Sequence, residues 1–244
     1  RWGSVGPFHF WGEPLFGYYV SSDEWVIRKH VQMLTDADVD FLVFDTTNST
    51  GTPTTQAVTS NGGGNNTYVA NALAVMKILD EYYKAGWDVP KVAFYTNSNS
   101  GRAMDVLYDE VYQSHPEYSH LWFNWEGKPM IIGNSAQASS AVRQFFRIKE
   151  SQWPNDANKK EDGMPWMEFH RSLTEDAIYT YNGKKIINVS VAQHNVTCRM
   201  SAAAWYGAGD RTRSYSDGFV KKDEDAVQYG YNFAEQWEFA LAND

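Results

Sequence analysis

The chain has 244 residues and a formal charge of -9 at pH 7. That charge argues against nucleic acid or an anionic membrane as the partner, because both reward clustered Lys and Arg. No run of about 18 or more apolar residues occurs, so no membrane span is predicted. The single cysteine, Cys198, excludes an intrachain disulfide framework and a cysteine-based zinc cluster.

Aromatic residues are abundant for a core of this size. The chain contains 10 Trp and 15 Tyr, and flat rings with a polar edge can stack on the faces of sugar rings while still hydrogen-bonding. For any single ring, packing in the core is the plainer interpretation. The surplus as a whole favours a carbohydrate partner.

The first predicted unit is a strand, a helix and a second strand. Residues 15–19 (LFGYY) are predicted as the first strand. Ser21 and Glu24 then form a capping box, and apolar residues recur at helical spacing until near Asp38. Residues 40–48 (DFLVFDTTN) form an apolar run that ends in polar residues, which is typical of a strand buried in a parallel sheet.

Asp45 lies at the end of this second strand, on the same side as Phe41 and Val43. In a parallel barrel that position points inward at the carboxyl end of the strand, where barrel enzymes hold their catalytic groups. The alternative interpretation is that Asp45 caps the loop that follows. The residue alone does not distinguish the two.

Downstream, helices and strands are predicted to alternate. Residues 49–66 are rich in Gly, Thr, Ser and Asn and are predicted as a long loop, and residues 154–163 as a solvated loop. Helices are predicted over residues 67–85, around 104–111, through 142–148 and over 231–241. The remaining strands are predicted over residues 92–97, 130–134, 165–170 and 187–194.

Polar residues end five of the predicted strands, each on the inward side of its strand. They are Asp45, Asn97, Asn134, Glu168 and His194. We therefore expect these side chains to converge on one mouth of the sheet. The alternative is that each caps a loop locally.

The fifth strand places an aromatic ring, an acid and an imidazole on one face: Trp166, Glu168 and His170. The apolar wall of Trp166 is expected to raise the pKa of Glu168 and suit it to proton donation, because burial disfavours the charged form. Asp45 is expected to stay ionised. Tyr18 or Tyr19, together with Trp166, is expected to line an open sugar-binding cleft.

The alternation predicts an α/β fold, a (β/α)8 TIM barrel in a single domain over residues 1–244. Six strand–helix steps are found where a closed barrel needs eight. The expectation is therefore a barrel that lacks its last one or two β/α units in this chain, through truncation at the C-terminus.

Two stretches resemble a known family. PLFGYYVSSDEWVIRKHVQMLTDADVDFLVFDTTN resembles the opening βαβ unit of the glycoside hydrolase clan that contains families 71 and 99, in a bacterial, family 99-like form. WFNWEGKPMIIGN is similar to the approach to the fourth strand in those barrels. The resemblance implies a sugar-cleaving barrel, often directed at α-linked glucans or mannans.

The families carry their two catalytic acids in a Trp- and Glu-containing motif after a late strand. The sequence after His194 contains no such motif. The resemblance therefore implies that an acid/base residue lies beyond Asp244, and it does not transfer catalytic roles to Asp45 or Glu168.

The function predicted is glycoside hydrolysis of a poly- or oligosaccharide by two carboxylates, with Glu168 and Asp45 as candidates and no cofactor. The substrate-binding candidates are Tyr18, Tyr19, Asn97, Asn134, Trp166, His170 and His194.

One alternative is a carbohydrate-binding barrel without turnover. Another is a metal-dependent hydrolase using His9, Asp45, Glu168 and His194. The expected location is secreted or periplasmic, and the sugar, linkage and oligomeric state stay open.

Overall fold

The structure of the protein is a computed structural model that describes residues 15–47, 67–152, 158–165, 178–189 and 231–243. The α-helices are α1 (Glu24–Asp36), α2 (Thr67–Lys84), α3 (Ser100–Leu107), α4 (Ser140–Phe145) and α5 (Tyr231–Ala242). A π-helical segment, Tyr108–Gln113, extends α3, and short 3-10 helices span Pro116–Leu121 and Ser135–Gln137.

The strands are β1 (Phe41–Asp45), β2 (Lys91–Tyr95), β3 (Asn124–Trp125), β4 (Lys128–Gly133), β5 (Arg147–Gln152), β6 (Gly163–Pro165), β7 (Ile178–Tyr181) and β8 (Lys184–Ile187). Five of them form a parallel sheet in the order β1-β2-β4-β5-β6, and β3 pairs with β4 in antiparallel fashion. A separate antiparallel hairpin consists of β7 and β8. All five parallel strands therefore end at the same edge.

The expectation of an eight-stranded TIM barrel is wrong. The described residues contain a half-barrel of five parallel strands with helices packed on one face, and its sheet is open. Within those residues β1 pairs only with β2, and β6 pairs only with β5. The βαβ alternation of the sequence correctly predicts a parallel sheet, but it does not show how many strands that sheet contains.

The predicted strand over residues 15–19 is wrong. Residues 15–20 form turns and irregular backbone, and Gly17 has a left-handed φ of 71°, which a strand does not adopt. The segment folds back on α1 instead. Phe16 packs edge-on against Trp25, and Tyr19 packs against His30.

The prediction of a parallel strand over residues 187–194 is also wrong in the part that is described. Ile187 pairs with Ile178 across the antiparallel β7–β8 hairpin. The turn contains Asn182 (φ 48°) and Gly183 (φ 74°), the residue pair that a tight hairpin turn requires. Residues 190–194 lie outside the described residues, as do residues 166–170 of the predicted fifth strand and the whole of the predicted 49–66 loop.

Strand β5 was not predicted. The helix expected through residues 142–148 ends at Phe145, and Arg147 begins a parallel strand. The other helix and strand positions agree more closely with the sequence. Helix α2 stops where Gly86 takes a φ of 90°, as predicted, whereas α1 is capped by the Asp23 carboxylate rather than by Ser21.

The two faces of the sheet are packed differently. The helix-covered face carries the main core, in which Phe94 and Ile131 meet buried residues of α1, α2 and α3. The inner face carries a smaller apolar cluster built on Ala93, Tyr95, Met130 and Ile132. The inner face is therefore where polar side chains have room to enter the fold.

Toward the amino ends of the strands, the inner face is closed by an ionic cluster. Lys149 of β5 is 3% exposed and contacts the carboxylate of Asp162, which also pairs with Arg147 at 2.5 Å. The Lys149 ammonium lies 4.9 Å from the ring centres of Trp125 and Tyr181. This ionic cluster connects the sheet to the β3 strand and to the β7–β8 hairpin.

Candidate functional site

A cavity of about 680 Å³ opens at the carboxyl ends of the parallel strands. A volume in this range suits a small organic ligand. The described lining residues are Val43, Asp45, Thr47, Tyr95, Asn97, Ser98, Ile132, Gln152, Met164 and Pro165. They come from the ends of β1, β2, β4, β5 and β6, so every parallel strand contributes to the cavity.

Asp45 is the single charged residue among the described lining residues. Its Oδ1 atom accepts hydrogen bonds from the Thr47 backbone N–H at 2.9 Å and from the Thr47 hydroxyl at 2.6 Å. Within the described part of the chain, Oδ2 has no hydrogen-bond partner. One oxygen therefore caps the turn, and no described residue occupies the second.

The β2 end of the cavity is tied to the β1 end by backbone hydrogen bonds. The Thr46 N–H and hydroxyl both donate to the Tyr95 carbonyl, at 2.9 and 2.7 Å. The Ser98 N–H donates to the Thr47 carbonyl at 3.0 Å. Asn97, which is exposed and lies between these contacts, is thereby held beside Asp45 at the same rim.

A buried hydroxyl cluster, Thr96 and Ser100, supports the rim from below. The two hydroxyl oxygens are 2.7 Å apart, Thr96 also donates to the Ile132 carbonyl at 3.0 Å, and Ser100 accepts from the Asn134 N–H at 2.8 Å. A Cβ on Gly133 would lie only 2.7 Å from the Thr96 hydroxyl oxygen. The ends of β2 and β4 are therefore closely fitted to each other.

Tyr95 forms part of the cavity floor and is only 6% exposed. Its hydroxyl donates to the Met164 carbonyl at 2.7 Å and accepts from the Gln152 N–H at 3.2 Å. Burial raises the pKa of this phenol well above its usual range. Tyr95 is therefore a neutral hydrogen-bonding group throughout the physiological pH range.

The wall opposite Asp45 consists of Gln152, Met164 and Pro165. The Gln152 side-chain oxygen accepts from the Lys160 N–H at 2.9 Å, which holds the connection between β5 and β6 against the sheet. Apolar surface from Met164 and Pro165 thus faces polar groups from β1 and β2. A ligand in the cavity would therefore meet most of its polar groups on the β1 and β2 side and most of its apolar contacts on the β6 side.

The cavity brings together two of the predicted site residues, Asp45 and Asn97. Asn134 lies at the end of β4, where its Oδ1 accepts from the Ala136 N–H at 3.1 Å, and it is not among the described lining residues. Tyr18 and Tyr19 are 43% and 41% exposed, and they too lie outside the described lining. Tyr19 packs on His30 of α1 instead.

Four other candidates, Trp166, Glu168, His170 and His194, lie outside the described residues, and their roles stay predictions. The same holds for His9 of the metal hypothesis. The described residues contain no group of three or more His, Cys, Asp or Glu that could hold a metal ion.

Sequence reasoning missed Gln152, because β5 was not recognised as a strand. It also missed Thr47 and Ser98 as lining residues. A signal for these two was present, since each follows the end of a correctly predicted strand by two or three positions.

No protein-family model, curated protein or solved structure matches the chain. The likeness to glycoside hydrolase families 71 and 99 therefore stays a prediction from the two sequence stretches. Among the helices that the structure describes, none is long and apolar enough to cross a membrane.

Proposed function

We propose that the chain is a glycoside hydrolase acting on a poly- or oligosaccharide, with its substrate bound in the cavity at the carboxyl ends of the strands. The observation that carries the proposal is the Asp45 carboxylate, which lines this cavity with one oxygen unpaired in the described residues. In parallel α/β sheets, ligands bind at this edge.

The composition of the cavity supports a sugar. Thr47, Asn97 and Ser98 offer hydroxyl and amide groups on the side of Asp45, whereas Met164 and Pro165 offer apolar surface opposite. A pyranose has a rim of hydroxyl groups and a less polar face, so it can use both sides at once. The cavity has room for more than one sugar ring.

Hydrolysis needs two carboxylates. Asp45 supplies one, which holds substrate hydroxyls or stabilises the positive charge that develops on the sugar in the transition state. Glu168 is proposed as the proton donor, because it follows the cavity residue Pro165 by three positions in the sequence.

A second candidate function is carbohydrate binding without turnover. It is favoured by the fact that Asp45 is the single carboxylate among the described lining residues. Release of reducing sugar separates the two functions, since a binding protein would retain the glycan and release none.

The test is reducing-sugar release from a panel of α- and β-linked glucans and mannans. For the glycan that the wild type cleaves, Asp45→Asn is expected to lower kcat/KM by about 10³-fold. The asparagine retains an oxygen for the Thr47 turn, so thermal unfolding should change little.

The matched control is Asp88→Asn. Asp88 is exposed and precedes β2, at the opposite end of that strand from the cavity, so its loss is expected to leave kcat/KM unchanged. Unchanged turnover in Asp45→Asn would exclude Asp45 from the reaction. Glycan binding by the wild type without release of sugar would replace hydrolysis with the binding function.

A further inference from the structure

The Tyr95 side chain contacts two strands that do not pair with its own strand. It belongs to β2, whose sheet partners are β1 and β4. Its hydroxyl reaches past β4 across the inner face, donating to Met164 of β6 at 2.7 Å and accepting from Gln152 of β5 at 3.2 Å. The ring therefore spans the concave side of the half-barrel.

The two ends of this connection belong to opposite walls of the cavity. Tyr95 is register-paired with Asp45, the carboxylate on one wall. Met164 and the next residue, Pro165, form the other wall. The separation of the two walls therefore depends on a side chain placed between them as well as on the curvature of the sheet.

The sheet alone fixes this separation weakly. Strand β6 has only three residues and pairs with β5 alone in the described part of the chain. A short edge strand with one partner opens more easily than a central strand. The Tyr95 hydroxyl supplies one contact to the β6 backbone, at the Met164 carbonyl, that does not depend on the β5 ladder.

We propose that Tyr95 is a positioning residue, whose hydroxyl sets the distance between Asp45 and the β6 wall. The proposal rests on the proposed function, because the distance matters for turnover only if the bound sugar must be aligned between Asp45 and a group contributed from the β6 side. Tyr95 itself takes no part in the chemistry.

The variant that tests this is Tyr95→Phe, which keeps the ring and removes the hydroxyl. The polar contacts on the β1 and β2 wall remain, so KM is expected to change by less than about threefold. Misalignment of reacting groups is expected to lower kcat by about 10- to 100-fold. Partial unfolding would also lower the apparent kcat at an unchanged KM, so kcat is expressed per folded molecule, with the folded fraction measured by circular dichroism.

The matched control is Tyr112→Phe. Tyr112 is also buried, at 1% exposed, but it lies in the helix-covered core and its hydroxyl has no hydrogen-bond partner in the described residues. Removing that hydroxyl is expected to leave both kcat and KM unchanged. The pair compares the same chemical deletion on the two faces of one sheet.

Amide hydrogen exchange gives a readout that needs no substrate. In Tyr95→Phe the Gln152 N–H loses the Tyr95 hydroxyl as an acceptor, and its exchange is expected to accelerate about tenfold. Tyr112→Phe should leave the exchange of Gln152 unchanged. Unaltered protection of Gln152 in Tyr95→Phe would overturn the proposed connection.

The two proposals can fail separately. If the wild type cleaves no glycan, hydrolysis is refuted, and the exchange of Gln152 still decides whether the hydroxyl holds β5 and β6. If Gln152 loses protection but kcat stays at the wild-type value, the connection is structural and the positioning role is overturned.

Discussion

The two faces of the parallel sheet are stabilised by different kinds of interaction. The helix-covered face buries large apolar side chains such as Phe94 and Met104, which are inaccessible to solvent. The inner face instead combines a small apolar cluster with the Lys149–Asp162 pair and the tyrosine hydroxyl of Tyr95.

The difference indicates that one face mainly stabilises the fold and the other mainly fixes its geometry. Burial of apolar surface has no directional requirement, so the helix-covered face can stabilise the fold without fixing any one distance closely. Hydrogen bonds and ion pairs are directional and costly to leave unmade. Polar groups concentrated on the inner face therefore fix the geometry of the cavity that opens there.

The largest stability effect is expected on the helix-covered face. Phe94→Ala should lower the free energy of unfolding by about 4 kcal/mol, because the ring is fully buried and its removal leaves a cavity in the main core. Chemical denaturation followed by circular dichroism measures the loss.

The matched variant on the inner face is Phe41→Ala. Phe41 is partly buried and stacks on Phe123, with ring centres 3.9 Å apart. Its loss is expected to cost about 2 kcal/mol, since less apolar area returns to water. Equal losses in the two variants would show that apolar packing on the inner face contributes as much to the free energy of unfolding as packing on the helix-covered face.

The next effect concerns the ionic cluster of the inner face. Asp162→Asn keeps the size of the side chain but leaves Lys149, which is 3% exposed, without its carboxylate. Removing one partner of a buried ion pair is expected to lower the free energy of unfolding by about 3 kcal/mol. Adding Lys149→Met to Asp162→Asn should restore part of that stability, because it removes the unpaired buried charge while position 162 keeps an Asn, which tolerates its φ of 61°.

Glu126→Gln is the control for this prediction, because Glu126 pairs with Arg147 at 2.7 Å but is exposed. Its loss is expected to be small, and added salt should reduce it further. If Asp162→Asn costs no more than Glu126→Gln, the Lys149 pair is effectively solvated and does not hold the inner face.

The same contrast explains which strands could be predicted from the sequence. Strands β1, β2 and β4 are apolar on both faces, so continuous hydrophobic runs revealed them. Strand β5, RIKESQ, turns Arg147 and Lys149 toward the inner face, where an acid rather than apolar surface meets them. Hydrophobicity cannot detect a strand whose buried partner is a charge.

The candidate site was predicted in part for a related reason. Asp45 and Asn97 follow apolar strands, and the cavity contains both. Gln152 could not be placed without β5. The β7–β8 hairpin was not predicted, because the alternation of residues 187–194 favours a separate strand. Asn182-Gly183 is nevertheless a strong local signal for a hairpin turn.

The smallest effect is expected outside the sheet, where Arg28 joins α1 to α2. Its guanidinium pairs with Glu24 at 2.7 Å and with Glu81 at 2.5 Å, and these hydrogen bonds lower the pKa of both carboxyl groups. A carboxyl whose pKa is lowered on folding stabilises the protein above its ordinary pKa, here 4.5. That stabilisation is lost as the pH falls through the lowered value.

We therefore expect Arg28→Gln to lower the unfolding temperature by about 2 °C at neutral pH, because partly exposed ion pairs contribute little. The difference from the wild type should shrink as the pH drops below about 4. Arg143→Gln is the control, since Arg143 donates to the Ser135 and Ala136 carbonyls, which do not titrate. Its effect should not vary with pH. A pH-independent difference in Arg28→Gln would instead assign the stabilisation to packing of the guanidinium over the Tyr82 ring, whose centre lies 6.0 Å away.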